Sequence, residues 1–211
     1  MPIIILICVL FGCSVFLFSL SLVPQESEVS KRLKELESLG NEPDDVTIEK
    51  TFREFAESSK GEISRRSDLG DSIMTAIAIA PVTHWAGKKG FVKFTDLGRL
   101  RLQETERVVA LRTELTKCGA KVVEEGDTLT VWPSPLHGAE IETYNDHRMA
   151  MCFAILGLKV PGIKIKNPAC VKKTFPNFFQ KLTAQPPHGL GAEILDAKSG
   201  RKLTHEELFA D

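Results

Sequence analysis

The chain has 211 residues, 43% of them hydrophobic and 26% charged, with a formal net charge of −1. That length holds one ordinary domain with appendages or two small ones. The balanced charge excludes a nucleic-acid binder that relies on a broad basic surface, so any anion site must be built locally from a few converging cations. Five cysteines (Cys8, Cys13, Cys118, Cys152, Cys170) form no CxxC pair and show no metal-ligand spacing with histidine. They read as reduced, packed thiols rather than a disulfide framework or a zinc site.

Ile3 to Val23 contains no charged side chain. A helix needs about 20 apolar residues to cross a hydrocarbon core, so residues 1–23 are expected to be a transmembrane leader. A secretory signal is the rival, but the basic n-region is missing and the apolar run is long. A misassigned start is the third reading. Lys31, Arg32 and Lys34 follow the run and favour a cytoplasmic C-terminal side; without an anchor the domain is expected in the cytoplasm. Residues 24–47 form a polar connector, with a short helix over Val29 to Leu39 closed by Gly40, then a turn.

Beyond the connector, strand and helix patterns alternate. Thr47 to Ser59 can form a short helix, with Phe52 and Phe55 on one side. Asp71 to Ala80 reads as a helix that starts near Asp68-Leu69-Gly70 and stops before Pro81. Gly90 to Phe94 alternates like a strand. Thr105 to Cys118 has helical spacing through Val108, Leu111 and Leu115, with Gly119 where a C′ residue belongs. Lys121–Glu124 and Asp127–Val131 flank Glu125-Gly126 as a hairpin. Asp146 to Leu158 is a helix opened by Asp146, Gly162 to Ile165 a strand, and Phe175 to Leu182 a last helix. Residues 183–211 form a polar, peripheral tail in which Thr204 and Glu207 make a capping box. The order describes an α/β domain whose helices are buried against sheet.

The chemistry concentrates in a few short strings. Tyr144-Asn145-Asp146-His147-Arg148-Met149-Ala150-Met151 sets an acid, an imidazole and a guanidinium side by side before an apolar segment. Cys170-Val171-Lys172-Lys173-Thr174-Phe175-Pro176 adds two ammonium groups just after an Asn-Pro turn. Planar bidentate Arg and point-charge Lys together suit carboxylate and phosphate groups. With Asp71 and Glu104-Thr105-Glu106-Arg107 they form a candidate site for a multiply anionic substrate. Each residue also has a plainer reading. Glu104 and Arg107, three apart on a helix, can be a surface ion pair. Arg148 can simply pair with Asp146, Lys172 and Lys173 can be solvated, and Asp71 can be an N-cap. Their joint occurrence favours the shared site.

The ordered set Asp68-Leu69-Gly70-Asp71, Leu102-Gln103-Glu104-Thr105-Glu106-Arg107, Glu114-Leu115 before Cys118-Gly119-Ala120, Tyr144 to Met151 and Lys173-Thr174-Phe175-Pro176 resembles the 5-enolpyruvylshikimate-3-phosphate synthase family. The resemblance runs from about Ile48 to Leu182, an enolpyruvyl-transferase-like segment over 48–182. The sister transferase acting on UDP-N-acetylglucosamine lacks the Asp-His-Arg and Lys-Thr-Phe-Pro strings. The resemblance implies an inside-out α/β domain of repeated helix-sheet units. It also implies transfer of the enolpyruvyl group of phosphoenolpyruvate to the 5-hydroxyl of shikimate 3-phosphate, a shikimate-pathway step toward chorismate and the aromatic amino acids. Such a reaction needs cations for phosphate and carboxylate, and acids and bases for carbon and oxygen. The family uses no metal and no organic cofactor.

Carried over by position, Arg107, Arg148 and Lys173 match the cations that hold phosphoenolpyruvate, with Lys173 also counted among the catalytic groups. Asp71 matches the carboxylate that contacts the shikimate hydroxyls and is a candidate base. Glu104 matches the carboxylate that exchanges the methylene proton. His147 and Asp146 are expected to support the site. Gln103 stands where the family more commonly has lysine, so a neutral amide replaces a charge; Arg99 and Arg101 lie nearby to compensate. The family's N-terminal domain, which supplies most shikimate-phosphate contacts, has no counterpart in residues 1–47. The leading expectation is therefore a truncated synthase that needs a separately encoded N-terminal half. A membrane-anchored, noncatalytic α/β domain that keeps the anion pocket is the alternative. Nucleic acid is not an expected partner.

Overall fold

The computed structural model describes residues 61–83 and 90–210. The expected leader helix, the connector with its helix over Val29 to Leu39, and the helix over Thr47 to Ser59 lie outside the described residues. Among those described, no helix is long and apolar enough to cross a membrane.

A four-stranded sheet is assembled from β1 (Glu62–Ser64), β2 (Val92–Thr95), β3 (Val122–Glu125) and β4 (Thr128–Val131) in the order β1-β2-β4-β3. β1 runs parallel to β2, pairing Ile63 with Phe94, whereas β4 is antiparallel to both β2 and β3. A smaller parallel pair joins β5 (Glu140–Ile141) to β6 (Lys164–Ile165). Among the described residues the α-helices are α1 (Ile73–Ile79), α2 (Arg107–Lys117), α3 (His147–Gly157) and α4 (Phe178–Thr183). This is the expected α/β class.

α3 is the central packing element. Met149, Ala150, Cys152, Phe153, Ile155 and Leu156 are all buried, because apolar side chains nearly encircle the helix. It packs on α1, whose Ile73, Met74, Ala76 and Ile77 are also buried, and on the 3₁₀ turn Pro168–Lys173. α2 packs on β3 and ends as the sequence foretold. Gly119 adopts φ 92°, its N–H donates to Thr116 O at 3.0 Å, and Ala120 N–H donates to Leu115 O at 3.0 Å. That pair of bonds is a Schellman stop, and the left-handed position in it suits glycine. Cys118, Cys152 and Cys170 are buried free thiols, as packed hydrophobes should be.

Several boundaries differ from expectation for local reasons. α1 starts only at Ile73; Asp68 to Ser72 are taken up by a π-helical turn over Arg65–Leu69 and a 3₁₀ turn over Gly70–Ser72. α2 starts at Arg107, because the Glu106 side chain accepts a hydrogen bond from Val109 N–H and caps the helix there. Glu104 and Thr105 are therefore loop residues, and the notion of a Glu104–Arg107 pair lying along a helix is corrected. The hairpin turn falls on Gly126-Asp127, with Gly126 at φ 54° in the first turn position. α4 begins at Phe178, since Pro176 disfavours helical backbone at Phe175. The 3-residue β1 and 2-residue β5 were not foreseen. In the tail, Thr204 and Glu207 exchange the two hydrogen bonds of a capping box. Leu208 is buried, and Ala210 N–H donates to Pro176 O at 2.9 Å, which ties the segment to the start of α4.

Candidate active site

Four chain segments meet beside the N-termini of α2 and α3. Helix starts are good places for this because their first N–H groups need outside acceptors. Asp146 meets that need for α3: its Oδ1 accepts from Arg148 N–H at 2.8 Å. Both carboxylate oxygens of Asp146 also accept from Arg107, Oδ2 from Nε at 2.6 Å and Oδ1 from Nη2 at 3.1 Å. Asp146 is completely buried and Arg107 is 2% exposed, so this fork welds the start of α2 to the start of α3.

The remaining edges of the Arg107 guanidinium turn outward. Nη2 donates to Glu104 Oε2 at 2.9 Å, and Nη1 donates to Gln103 Oε1. The Gln103 amide then donates through Nε2 to Asp71 Oδ2 at 3.1 Å. Asp71 Oδ1 accepts from Arg65 Nε at 3.0 Å and Nη2 at 2.5 Å, and Arg148 Nη2 stands 4.0 Å from Asp71 Oδ2. Lys173, at the end of the Pro168–Lys173 turn, reaches across to Glu104 Oε1. Asp71, Gln103, Glu104, Arg107, Asp146, Arg148 and Lys173 thus belong to one connected cluster, although Asp71 and Lys173 lie far apart in sequence.

Burial by itself would push the Asp71 carboxyl up, but hydrogen bonds from Arg65 and Gln103 and the charge of Arg148 outweigh it and hold it below its ordinary value. Asp146 behaves the same way: burial opposes ionisation and the Arg107 fork overrides it. His147 goes the other way, since burial lowers its affinity for a proton more than Glu104 and Asp146 raise it. His147 Nδ1 lies 3.0 Å from Glu104 Oε2 but off the line an N–H···O bond requires, so it is buried without a hydrogen-bond partner. Glu104 and His147 are thus close enough to exchange a proton after a small rotation. Glu104, Asp146 and His147 also place ligand atoms within 4.8 Å of one another. Arg107 already binds both carboxylates of that trio, which is the environment of an ion pair rather than of a cation site.

Some residues fall elsewhere than anticipated. Asp71 makes no capping bond to α1; its carboxylate is spent on Arg65 and Gln103. Arg101 does not compensate for the neutral Gln103, because its guanidinium is tied to Glu106, Glu124, Asp127 and Gly126 O. Arg65 was not singled out from sequence. Only the π-helical turn, capped by Ser64 Oγ, swings it back onto Asp71, and such a turn leaves no periodic signal.

The family model for EPSP synthase (3-phosphoshikimate 1-carboxyvinyltransferase) matches residues 27–182. The chain belongs to this family. Every member of the cluster lies inside the matched segment. A 3-phosphoshikimate 1-carboxyvinyltransferase of Nostoc punctiforme is 45% identical over 115 residues, covering 54% of this chain and 26% of the relative. One of Sodalis glossinidius is 49% identical over 96 residues, covering 45% of this chain and 22% of the relative. Among solved structures, an EPSP synthase from Acinetobacter baumannii aligns with TM-score 0.47 and 27% identity over 52% of this chain and 26% of that one. The chain spans about a quarter of the length of the curated EPSP synthases it matches.

Proposed function

We propose that this chain is the phosphoenolpyruvate-binding part of an EPSP synthase that works with a separately encoded N-terminal half. The reaction would transfer the enolpyruvyl group of phosphoenolpyruvate to the 5-hydroxyl of shikimate 3-phosphate. A proton adds to C3, the hydroxyl oxygen bonds to C2, and phosphate leaves as a C3 proton is lost. Arg107, Arg148 and Lys173 hold the phosphate and carboxylate, Glu104 exchanges the C3 proton, and Asp71 takes the hydroxyl proton. Gln103 hydrogen-bonds substrate oxygens, and His147 and Asp146 support Glu104 and Arg107. No metal or organic cofactor is invoked, and the domain is the repeated-unit, inside-out type of the family. The convergence of Asp71, Glu104, Arg107, Arg148 and Lys173 within one hydrogen-bonded cluster carries this reading.

A second reading has a specific observation in its favour. Arg65, Arg107, Arg148 and Lys173 already face Asp71, Glu104 and Asp146, so much of the cationic charge is neutralised within the chain. A noncatalytic anion-binding domain, tethered through the apolar run Ile3 to Val23, would also fit. Phosphate release from phosphoenolpyruvate plus shikimate 3-phosphate distinguishes the two. The chain alone is expected to give no turnover, because losing several charge-assisted hydrogen bonds to shikimate phosphate, about 1.5–3 kcal/mol each, removes most of its affinity. Adding the part of the Nostoc punctiforme relative that this chain does not match is expected to restore turnover. Phosphoenolpyruvate binding without turnover in that mixture would favour the noncatalytic domain.

A further inference from the structure

Glu114 is a buried carboxylate that the proposed chemistry does not use. It sits on α2, two turns beyond Arg107, and is 0% exposed. Its Oε1 accepts from Tyr144 Oη at 2.8 Å and its Oε2 from Glu142 N–H at 3.1 Å, while Lys117 Nζ bonds both oxygens at 2.8 and 2.9 Å. A residue serving only the core would have no reason to hold both a side chain and a backbone amide of the segment just before α3.

That segment is conformationally costly. Asp146 N–H donates to Thr143 O at 2.9 Å, closing a turn whose central residues, Tyr144 and Asn145, have φ of 53° and 56°. Two left-handed residues in succession define a type I′ turn, for which glycine is preferred and an aromatic residue is unfavourable. Left-handed backbone at a non-glycine position persists only where the surroundings over-determine it. Here Tyr144 is fixed through its hydroxyl by Glu114, and Asn145 Oδ1 accepts from Asn167 Nδ2 at 3.2 Å. The turn ends on Asp146, so its geometry decides where Asp146, His147 and Arg148 project.

We propose that Glu114 is a positioning residue: by holding Tyr144 Oη and Glu142 N–H it locks the type I′ turn that presents Asp146, His147 and Arg148 to the anion site. α2 then grips this segment at two points, Arg107 on Asp146 and Glu114 on the turn before it. The consequence for ligand affinity rests on the proposed phosphoenolpyruvate site; the consequence for the turn does not. Tyr144 is 38% exposed, so removing its hydroxyl leaves the core intact.

The test compares the full chain with Tyr144→Phe, Glu114→Gln and the double variant. Two quantities are read: the NMR titration of His147, which Glu104, Asp146, Arg107 and Arg148 surround, and phosphoenolpyruvate affinity by calorimetry. Each single variant is expected to raise the His147 pKa toward its ordinary value as the ring leaves its buried setting. Phosphoenolpyruvate binding is expected to weaken about fivefold, the worth of one hydrogen bond. Glu114→Gln keeps one acceptor oxygen, so the double variant should be no worse than the more damaging single one. A role in stability alone would lower the melting temperature of Tyr144→Phe and leave the His147 titration in place, which overturns the proposal. If the parent chain binds no phosphoenolpyruvate, the proposed site falls, and the His147 titration still decides the role of Glu114. Should Glu114→Gln fail to fold, Tyr144→Phe decides alone.

Discussion

The Arg107–Asp146 pair and the Lys173–Glu104 pair are both ion pairs of the same cluster, yet they do different physical work. Arg107 is 2% exposed and Asp146 is fully buried, with two parallel N–H···O bonds at 2.6 and 3.1 Å. The Lys173 side chain is 65% exposed and makes a single-point contact with Glu104. Desolvated charges are committed to each other, because separating them strands a charge in a poorly polarisable interior. Exposed charges exchange partners with water at little cost. The inner pair therefore joins two helix starts and fixes Arg107 in place, with its Nη1 and Nη2 edges directed at Gln103 and Glu104, whereas at the rim an incoming anion can take Lys173 from Glu104 at little cost.

The strongest way to break this contrast is Asp146→Ala. The substitution leaves Arg107 with only the partly exposed Glu104 as counter-charge and also removes the α3 cap, since Asp146 Oδ1 no longer accepts from Arg148 N–H. Losing one partner of a buried pair costs about 3–5 kcal/mol, and an N-cap adds about 1 kcal/mol. Chemical denaturation is expected to show a loss in that range or a chain that no longer folds cooperatively. A loss under about 1 kcal/mol would mean that Arg107 finds water, and that the inner pair is as replaceable as the rim.

Acid should act on the inner region next. Asp71 and Asp146 have carboxyls held below their ordinary 3.8, so they stabilise the fold above that value and lose the contribution as pH falls through their folded values. His147 is held below its ordinary 6.5 by burial. As pH drops past 6.5 the unfolded chain takes up a proton that the folded chain resists, and stability falls until the folded imidazole is itself protonated. Both effects weaken the fold in acid, in two stages. Urea unfolding from pH 8 to pH 3 is expected to decline first below about 6.5 and again below about 3.8. His147→Gln should remove the upper stage and keep the lower one.

How much of this the sequence revealed follows the range of the forces involved. α2, α3 and the β3–β4 hairpin were legible because 3.6- and 2-residue periods and a glycine stop are local properties. The convergence of Asp71 with Gln103, Glu104, Arg107, Arg148 and Lys173 was legible only through the order of strings in a family, since no periodicity relates Asp71 to Lys173. What stayed hidden is tertiary or irregular. Arg65 meets Asp71 through a π-helical turn, and Arg101 is captured by carboxylates from the β3–β4 hairpin, a partner choice that no spacing encodes. β1 and β5 are too short for alternation to stand out, and they exist because β2 and β6 offer them edges. Tyr144 looked like part of a motif, whereas its left-handed φ and its bond to Glu114 appear only once α2 is folded against it.

Lys173→Met tests the rim and should have the smallest effect on stability. Lys173 ends the Pro168–Lys173 turn with most of its side chain in solvent, and Glu104 is its ion-pair partner there. Removing the ammonium leaves Glu104 with Arg107 on its other oxygen and with solvent on the vacated one, so no buried charge is stranded. The stability change is expected to stay within about 0.5 kcal/mol, as for exposed pairs generally. Phosphoenolpyruvate affinity should respond quite differently, because a charge-assisted hydrogen bond to an anion is worth about 1.5–3 kcal/mol, at least tenfold in the dissociation constant. Melting and ligand titration on the same protein therefore separate the two regions. A Lys173→Met chain that melts many degrees lower would place Lys173 with Arg107 in the architecture. One that binds phosphoenolpyruvate as the parent does would show that the rim lysine serves Glu104 alone.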